Sequence, residues 1–169
     1  MTRIFAQLLA GLMLALILGL SAPAQEQLQT IYGGPDGDVW QPAPTPPGAQ
    51  SWVALQDLEL EERLDGEWIV FDPIFGPKVE ALNGRLITIN GFMRPLENAR
   101  AQKHFLLTAY PLSCPFHTAG GASTVIEVIA ERPVHFTYEP VLMQGRFELV
   151  DTGETGLFYR LTAAREVAQ

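Results

Sequence analysis

Apolar and polar residues alternate with a period of two through the second half of this chain. Residues 85–93, RLITINGFM, set Leu86, Thr88 and Asn90 on one side and Ile87 and Ile89 on the other. That is the repeat of a strand with one buried face. HFLLTAY (104–110), the β-branched run STVIEVIA (123–130) and VLMQGRFELV (141–150) read as further strands, with PVHFTYE (133–139) a short strand or strand extension. A DTGETG turn after Val150 leads into LFYRLTAAREV (157–167), so the last two strands form a hairpin,. Upstream the pattern is shorter. Ser51 is an N-cap for a brief helix with Trp52, Leu55 and Leu58 as its apolar points, and EWIVF (67–71) is a short strand,. FGPKVEALNG (75–84) is a turn or single helical turn ending at Gly84,.

These elements predict a mainly β protein: a small antiparallel OB-like barrel of five or six strands with one or two short helices. Gly91 and Gly145 fall inside strand patterns, where glycine marks the bulges and sharp coiling that a small barrel needs,. The barrel domain is assigned to residues 51–169. Residues 25–50 before it hold GGPDGDVWQPAPTPPGAQ, a Pro/Gly-rich run with neither period, read as a flexible linker,.

The N-terminus has a different pattern. Arg3 is followed by an unbroken apolar and glycine run from Leu8 to Leu20, and then by Ala22-Pro23-Ala24. This order of charge, short apolar run and small residues is a signal peptide, residues 1–24, cut before Gln25. The run is shorter than the ~20 residues that span a bilayer, so no stable membrane insertion is expected after cleavage. No Cys follows the cut for lipid attachment, and no twin-Arg pair is present,. The sequence therefore describes a secreted protein.

Charge narrows the partners. The chain carries 19 acidic against 11 basic residues, a net charge of -8. Nucleic acid and anionic lipid surfaces both call for a basic patch, and no nucleic-acid role is expected. No Ser/His/Asp signature, phosphate loop or Gly-x-Ser-x-Gly elbow occurs, and no carboxylate spacing singles out a catalytic pair,. A hydrolase is therefore disfavoured, and the reading leans toward a binding protein, with thiol chemistry left open.

One segment carries candidate chemistry. PLSCPFHTAGGAS (111–123) lies between two strands and holds the chain's single cysteine, Cys114, three residues before His117. An oxidising compartment recruits Cys in pairs, and Cys114 has no partner within the chain. Four readings stay open: a buried inert thiol, a metal ligand, a reactive thiol activated by His117, or half of an intermolecular bridge. Thiolate and imidazole both suit zinc or copper, and C-x-x-H spacing lets both reach one ion. A structural zinc site needs four ligands. His104 is the third candidate, with His135, Met93 and Glu97 behind it. Arg94 and Glu97 are otherwise surface charges at a strand end, and Tyr138 and Tyr159 are packing residues.

Trp52 with Leu55, VEALNG (79–84), ITINGFMRPLE (87–97), HFLLTAY (104–110), Cys114 with His117, MQGRFELV (143–150) and LFYRLTA (157–163) together resemble an uncharacterised family of exported bacterial proteins, a domain of unknown function. The GFM-x-PLE segment and the Cys loop are the most specific parts. Here Cys114, His117 and Gly120-Gly121 fill the loop positions, without the run of prolines that many members carry. Some members are encoded beside ABC-transporter components of the macrolide-exporter type, in settings linked to zinc limitation. The resemblance implies a periplasmic accessory protein that handles a metal for a transporter. A subunit that docks on such a membrane complex without metal, and a thiol or redox protein using Cys114, are the alternatives.

Overall fold

The computed structural model describes residues 42–111, 121–150 and 156–168. The first element among the described residues is a 3-10 turn, Trp52–Gln56, capped as expected by Ser51, whose Oγ accepts from Val53 N at 3.2 Å. Trp52 and Leu55 are its buried points.

Two strands follow, β1 (Leu58–Asp65) and β2 (Trp68–Phe75), paired antiparallel as a separate two-stranded sheet. The sequence pattern marked only the start of β2 and placed Leu58 on the preceding helix, although LELEERLD alternates leucines with charges as a half-buried strand does,. The hairpin turn is Gly66-Glu67, with φ +64° at Gly66 and no positive φ at Glu67. That is the type II′ arrangement, with glycine at the first central position. The one-turn helix α1 (Pro77–Glu80) starts with Pro at N1 and runs out through Gly84 at φ +75°,.

Five strands then close into a barrel: β3 (Leu86–Pro95), β4 (Ala101–Thr108), β5 (Val125–His135), β6 (Val141–Leu149) and β7 (Tyr159–Glu166), in the order β3-β4-β5-β7-β6. The protein is thus mainly β with a small closed barrel, and its strand order is that of an OB barrel. One feature of the expectation is corrected. The barrel is mixed, because β5 and β7 run parallel while every other neighbouring pair is antiparallel. A closed ring of five strands cannot alternate direction all the way round, so one pair must be parallel. The expected β6–β7 hairpin is present, and PVHFTYE supplies the end of β5. The DTGETG turn lies largely in residues 151–155, outside the described residues.

The two strand glycines act as proposed. β3 pairs with β6 through Gly91 and with β4 from Phe92 onward, so the strand coils at that point. A Cβ on Gly91 would stand 2.8 Å from Leu107 Cγ and 2.9 Å from Thr108 O. Gly145 sits where the β6–β7 register shifts, and a Cβ there would meet Leu161 Cγ and Thr162 O at 2.8 Å. Inside lie Ile89, Met93, Phe105, Leu107, Ile126, Val128, Met143, Phe147, Tyr159 and Leu161, all fully buried. Each large side chain contributes roughly 1.5–3 kcal/mol by leaving water. Trp52 Nε1 donates to Asn90 O at 2.6 Å, and Tyr159 Oη donates to Leu55 O at 2.7 Å. Those two bonds fasten the 3-10 turn to the barrel.

The linker assignment differs at its C-terminal end, for residues 42–50 lie on the barrel. Ala43 is buried and donates to Ala109 O at 2.7 Å, Asn90 Nδ2 donates to Pro44 O at 2.9 Å, and Gln50 pairs in parallel with Ile89. Proline offers carbonyls without donors, so a Pro-rich strap can dock through the few N–H groups it has left. Residues 1–41, which hold the signal assignment, are outside the described residues. Among the described residues no helix is long and apolar enough to cross a membrane.

Candidate functional site

Cys114 and His117 fall in residues 112–120, outside the described residues. The stems of that loop are described, and both are firmly held. On the β4 side, buried Thr108 donates through Oγ1 to Tyr110 O at 2.9 Å and to Phe92 O at 3.2 Å. On the β5 side, Gly121 takes φ +75° and opens the 3-10 turn Ala122–Thr124, where Thr124 Oγ1 donates to Gly121 O at 2.7 Å. Ala109 N donates to Thr124 O at 2.9 Å and ties the stems together. The segment thus leaves from and returns to one end of the barrel, where Ala43, Trp52, Ala109 and Tyr110 line a small cleft. Loops on rigid β stems are where proteins place sites.

His104, the third predicted ligand, is on β4 and half exposed on the outer face. Its Nε2 lies 2.9 Å from Glu127 Oε1, and Arg160 Nε donates to Glu127 Oε2 at 2.6 Å. Three neighbouring strands, β4, β5 and β7, therefore each supply one member of a His104–Glu127–Arg160 row. Burial alone would raise the Glu127 carboxyl, but the hydrogen bonds from Arg160 and His104 outweigh it and hold the group below the usual carboxylate range,. The carboxylate thereby fixes the His104 ring and leaves Nδ1 as the nitrogen for any further partner.

The other candidates do not join it. His135 stands opposite Ala101 at the end of β5, six residues beyond Ile129, the partner of His104. It lines an open groove with Pro95, Glu97, Arg100 and Phe136. Met93 is a core residue, and Glu97 is on the exposed β3–β4 connection, whose Leu96 N donates to the buried Gln102 Oε1 at 3.0 Å. Tyr159 is packing, as expected, against Phe147 and Phe75. Tyr138 is not, being 84 % exposed with its ring edge-on to Phe136. Among the described residues no three His, Cys, Asp or Glu side chains come together as a metal site. Any site at the loop draws its ligands from 112–120 and from what that segment reaches.

Sequence reasoning missed Glu127 and Arg160. The signal for Glu127 was there, as a lone acid in the apolar run STVIEVIA. Its match to Arg160 needed the parallel β5–β7 register, which pairs the two directly.

The sequence reading also missed the hairpin arm. Its register puts Leu58/Phe75, Leu60/Pro73, Glu62/Phe71 and Leu64/Ile69 on one face. Glu59/Ile74, Glu61/Asp72, Arg63/Val70 and Asp65/Trp68 share the other. At the base, Leu58 and Phe75 pack against the core. Outward from there the same face is open, with Leu60 42 %, Phe71 40 %, Ile69 60 % and Leu64 73 % exposed.

The chain matches no family model, and no curated protein matches it. Among solved structures it is similar to a DUF3299 family protein from Pseudomonas aeruginosa PAO1, with 22% sequence identity and a TM-score of 0.44. The match covers 53% of this chain and 65% of that chain. DUF3299 denotes a domain family of unknown function.

Proposed function

We propose that this protein is an exported, periplasmic accessory protein that binds a transition metal, zinc or copper, through Cys114 and His117 in support of a transporter, with His104 as a further ligand. The observation that carries the reading is the Glu127 carboxylate on His104 Nε2. Metal-ligating histidines characteristically have their second ring nitrogen engaged in this way. The thiolate would supply the soft ligand and one proton would leave on binding. A cation there would meet the carboxylate of Glu127 behind the imidazole, holding the ring in place,.

Titration of the reduced mature protein with zinc or with copper(I) tests this reading. One ion should bind per chain, at least ~100-fold more weakly in a Cys114→Ser, His117→Ala variant. Glu127→Gln should weaken it about tenfold, the range for outer-shell partners. Unchanged affinity in the double variant overturns the reading.

A separate observation, the open apolar face of the β1–β2 arm, favours a second reading. In it the protein is an interaction subunit that docks on a membrane-transport complex without metal. Co-purification with such a complex should then survive Cys114→Ala, and loss of every partner in mild detergent would count against it.

A further inference from the structure

We infer that the β1–β2 arm is the docking element of this protein, and that its apolar face takes a protein partner presenting an apolar stripe flanked by Lys and Arg. The inference rests on the docking reading and is independent of the metal. A two-stranded hairpin alone is marginal in water, yet this one projects from the barrel with both outer edges unpaired among the described residues. What holds it is its base. Phe75 lies 6.2 Å from the Tyr159 ring, Gly76 N donates to Asp57 O at 2.9 Å, and Lys78 N donates to Asp57 Oδ2 at 2.7 Å.

The arm is sided. One face is apolar except for Glu62, and it continues the barrel core outward from Leu58 and Phe75 through Leu60, Pro73 and Phe71 to Leu64 and Ile69. The opposite face holds most of the arm's charge, in Glu59, Glu61, Arg63, Asp65 and Asp72, with Arg63 Nε 2.6 Å from Asp72 Oδ2, and its exposed Trp68 and Ile74 stand among those charges rather than in a continuous apolar stripe. Ordinary surface hairpins turn apolar residues toward a core and polar ones toward water. Here, among the described residues, the outer part of the apolar face has no core beneath it.

Area and charge choose the occupant. The exposed part of the face amounts to roughly 400 Å², within the range of the largest apolar patch on a monomer, which is often functional,. It is about half of the ~800 Å² that each partner gives to a standard interface, and well short of what a permanent homodimer buries. A second copy is also disfavoured by charge. Residues 58–75 hold six acids (Glu59, Glu61, Glu62, Asp65, Glu67 and Asp72) against Arg63 alone, a net -5 on the arm itself. Two arms face to face would double that charge in one place. An anionic lipid surface is repelled for the same reason. A partner with basic flanks meets complementary potential, which steers encounter and fixes orientation, while its apolar stripe covers Leu60, Leu64, Ile69 and Phe71.

The test uses the full chain, processed by its own cell, with defined probes. The probes are an amphipathic Leu/Lys helix, its Leu/Glu counterpart, a scrambled Leu/Lys peptide without a face, and phosphatidylcholine vesicles. The amphipathic Leu/Lys peptide should bind at least tenfold more tightly than either other peptide. Leu64→Ser with Ile69→Ser should cost at least tenfold in that affinity, and Glu62→Lys, a surface change that leaves packing alone, should do the same. Val70→Ser, on the opposite face, should leave affinity unchanged. Equal binding by the Leu64/Ile69 and Glu62 variants overturns the inference. So does a wild-type dimer dissolved by those variants in sedimentation, or arm-dependent binding to the vesicles. If a membrane complex still co-purifies with the arm variants, docking stands and the arm is not its element. If wild type retains no partner at all, the docking reading itself fails.

Discussion

Phe105 and Phe71 are both aromatic residues on the apolar side of an eight-residue strand. Phe105, on β4, is fully buried, whereas Phe71, on β2, is 40 % exposed. Neither local propensity nor alternation separates them. The difference is made by closure. β4 sits between β3 and β5 in a ring whose inward faces all meet, while among the described residues β2 has β1 on one edge, nothing on the other, and no second layer over its outer half. Alternation specifies a face, and topology decides whether that face becomes a core or a contact surface. In the barrel the apolar residues are expected to set stability. In the arm they are expected to set association, with stability nearly indifferent to them.

Removing the two aromatics breaks this comparison most sharply. Phe105→Ala should cost about 3–5 kcal/mol, the range for a buried Phe leaving a cavity. Phe71→Ala should cost well under half as much, because much of its ring already meets water. Urea midpoints of the two variants measure this directly. Similar losses would mean that the arm is packed against something the barrel supplies.

The glycines sharpen it next. Gly91→Ala puts a methyl 2.8–2.9 Å from Leu107 Cγ and Thr108 O in the coiled part of β3. Overpacking of that kind costs about 1–3 kcal/mol. Gly66→Ala in the arm turn meets nothing within 4 Å, and its penalty is only that of φ +64°, about 1–2 kcal/mol. The first should lower the barrel's melting temperature. The second should show in hydrogen exchange of β1 and β2 while the barrel strands keep their protection.

Tyr159 links the two regions, donating to Leu55 O and packing with its ring tilted against Phe75 at the base of the arm. Tyr159→Phe should cost about 1 kcal/mol at neutral pH, the net worth of one buried hydrogen bond. Burial, and then the nearby Asp57 charge, push its phenol well above the usual tyrosine value of 10. Above about pH 10 the unfolded chain releases this proton while the folded chain keeps it, so stability falls as pH rises. Wild type should lose stability more steeply than Tyr159→Phe between about pH 10 and 11. Parallel curves would show that the phenol ionises as readily folded as unfolded.

The parts of this fold that the sequence made legible are those where one face is buried by neighbours close in pattern. The capping Ser51, the coil at Gly91, the β6–β7 hairpin and the helical turn ending at Gly84 all write their geometry into a few adjacent residues. The parallel β5–β7 contact was not legible, since it arises from ring closure with an odd number of strands. β1 was missed although LELEERLD alternates as a strand does, because Leu58 also fits the apolar points of the preceding helix. Residues 42–50 look like linker by composition, and only their bonds to Thr88, Ala109 and Asn90 place them on the barrel. At the site, His104 was visible as a residue type but its partner was not, because Glu127 is reached across the β4–β5 register.

The smallest expected difference lies between two ion pairs. Glu127 is mostly covered and receives both Arg160 and His104, whereas Asp72 on the arm meets Arg63 in open solvent. Glu127→Gln should lower stability by no more than about 1 kcal/mol at neutral pH, and Asp72→Asn should leave the urea midpoint unchanged. Because the Glu127 carboxyl is held below its ordinary value, its contribution is present above the unfolded value of about 4.3 and is lost as pH falls through the folded one. Wild type and Glu127→Gln should therefore converge as the pH drops below about 4. Salt discriminates further. A surface pair fades within a Debye length of about 10 Å at 0.1 M, so any effect of Asp72→Asn seen at low ionic strength should vanish at 0.5 M. The Glu127→Gln difference should fade less there, since the Glu127 carboxylate is itself mostly covered even though His104 and Arg160 are partly exposed. A Glu127 effect that disappears with salt would reduce the His104–Glu127–Arg160 row to ordinary surface charge, and would remove the orienting contact on which the metal reading depends.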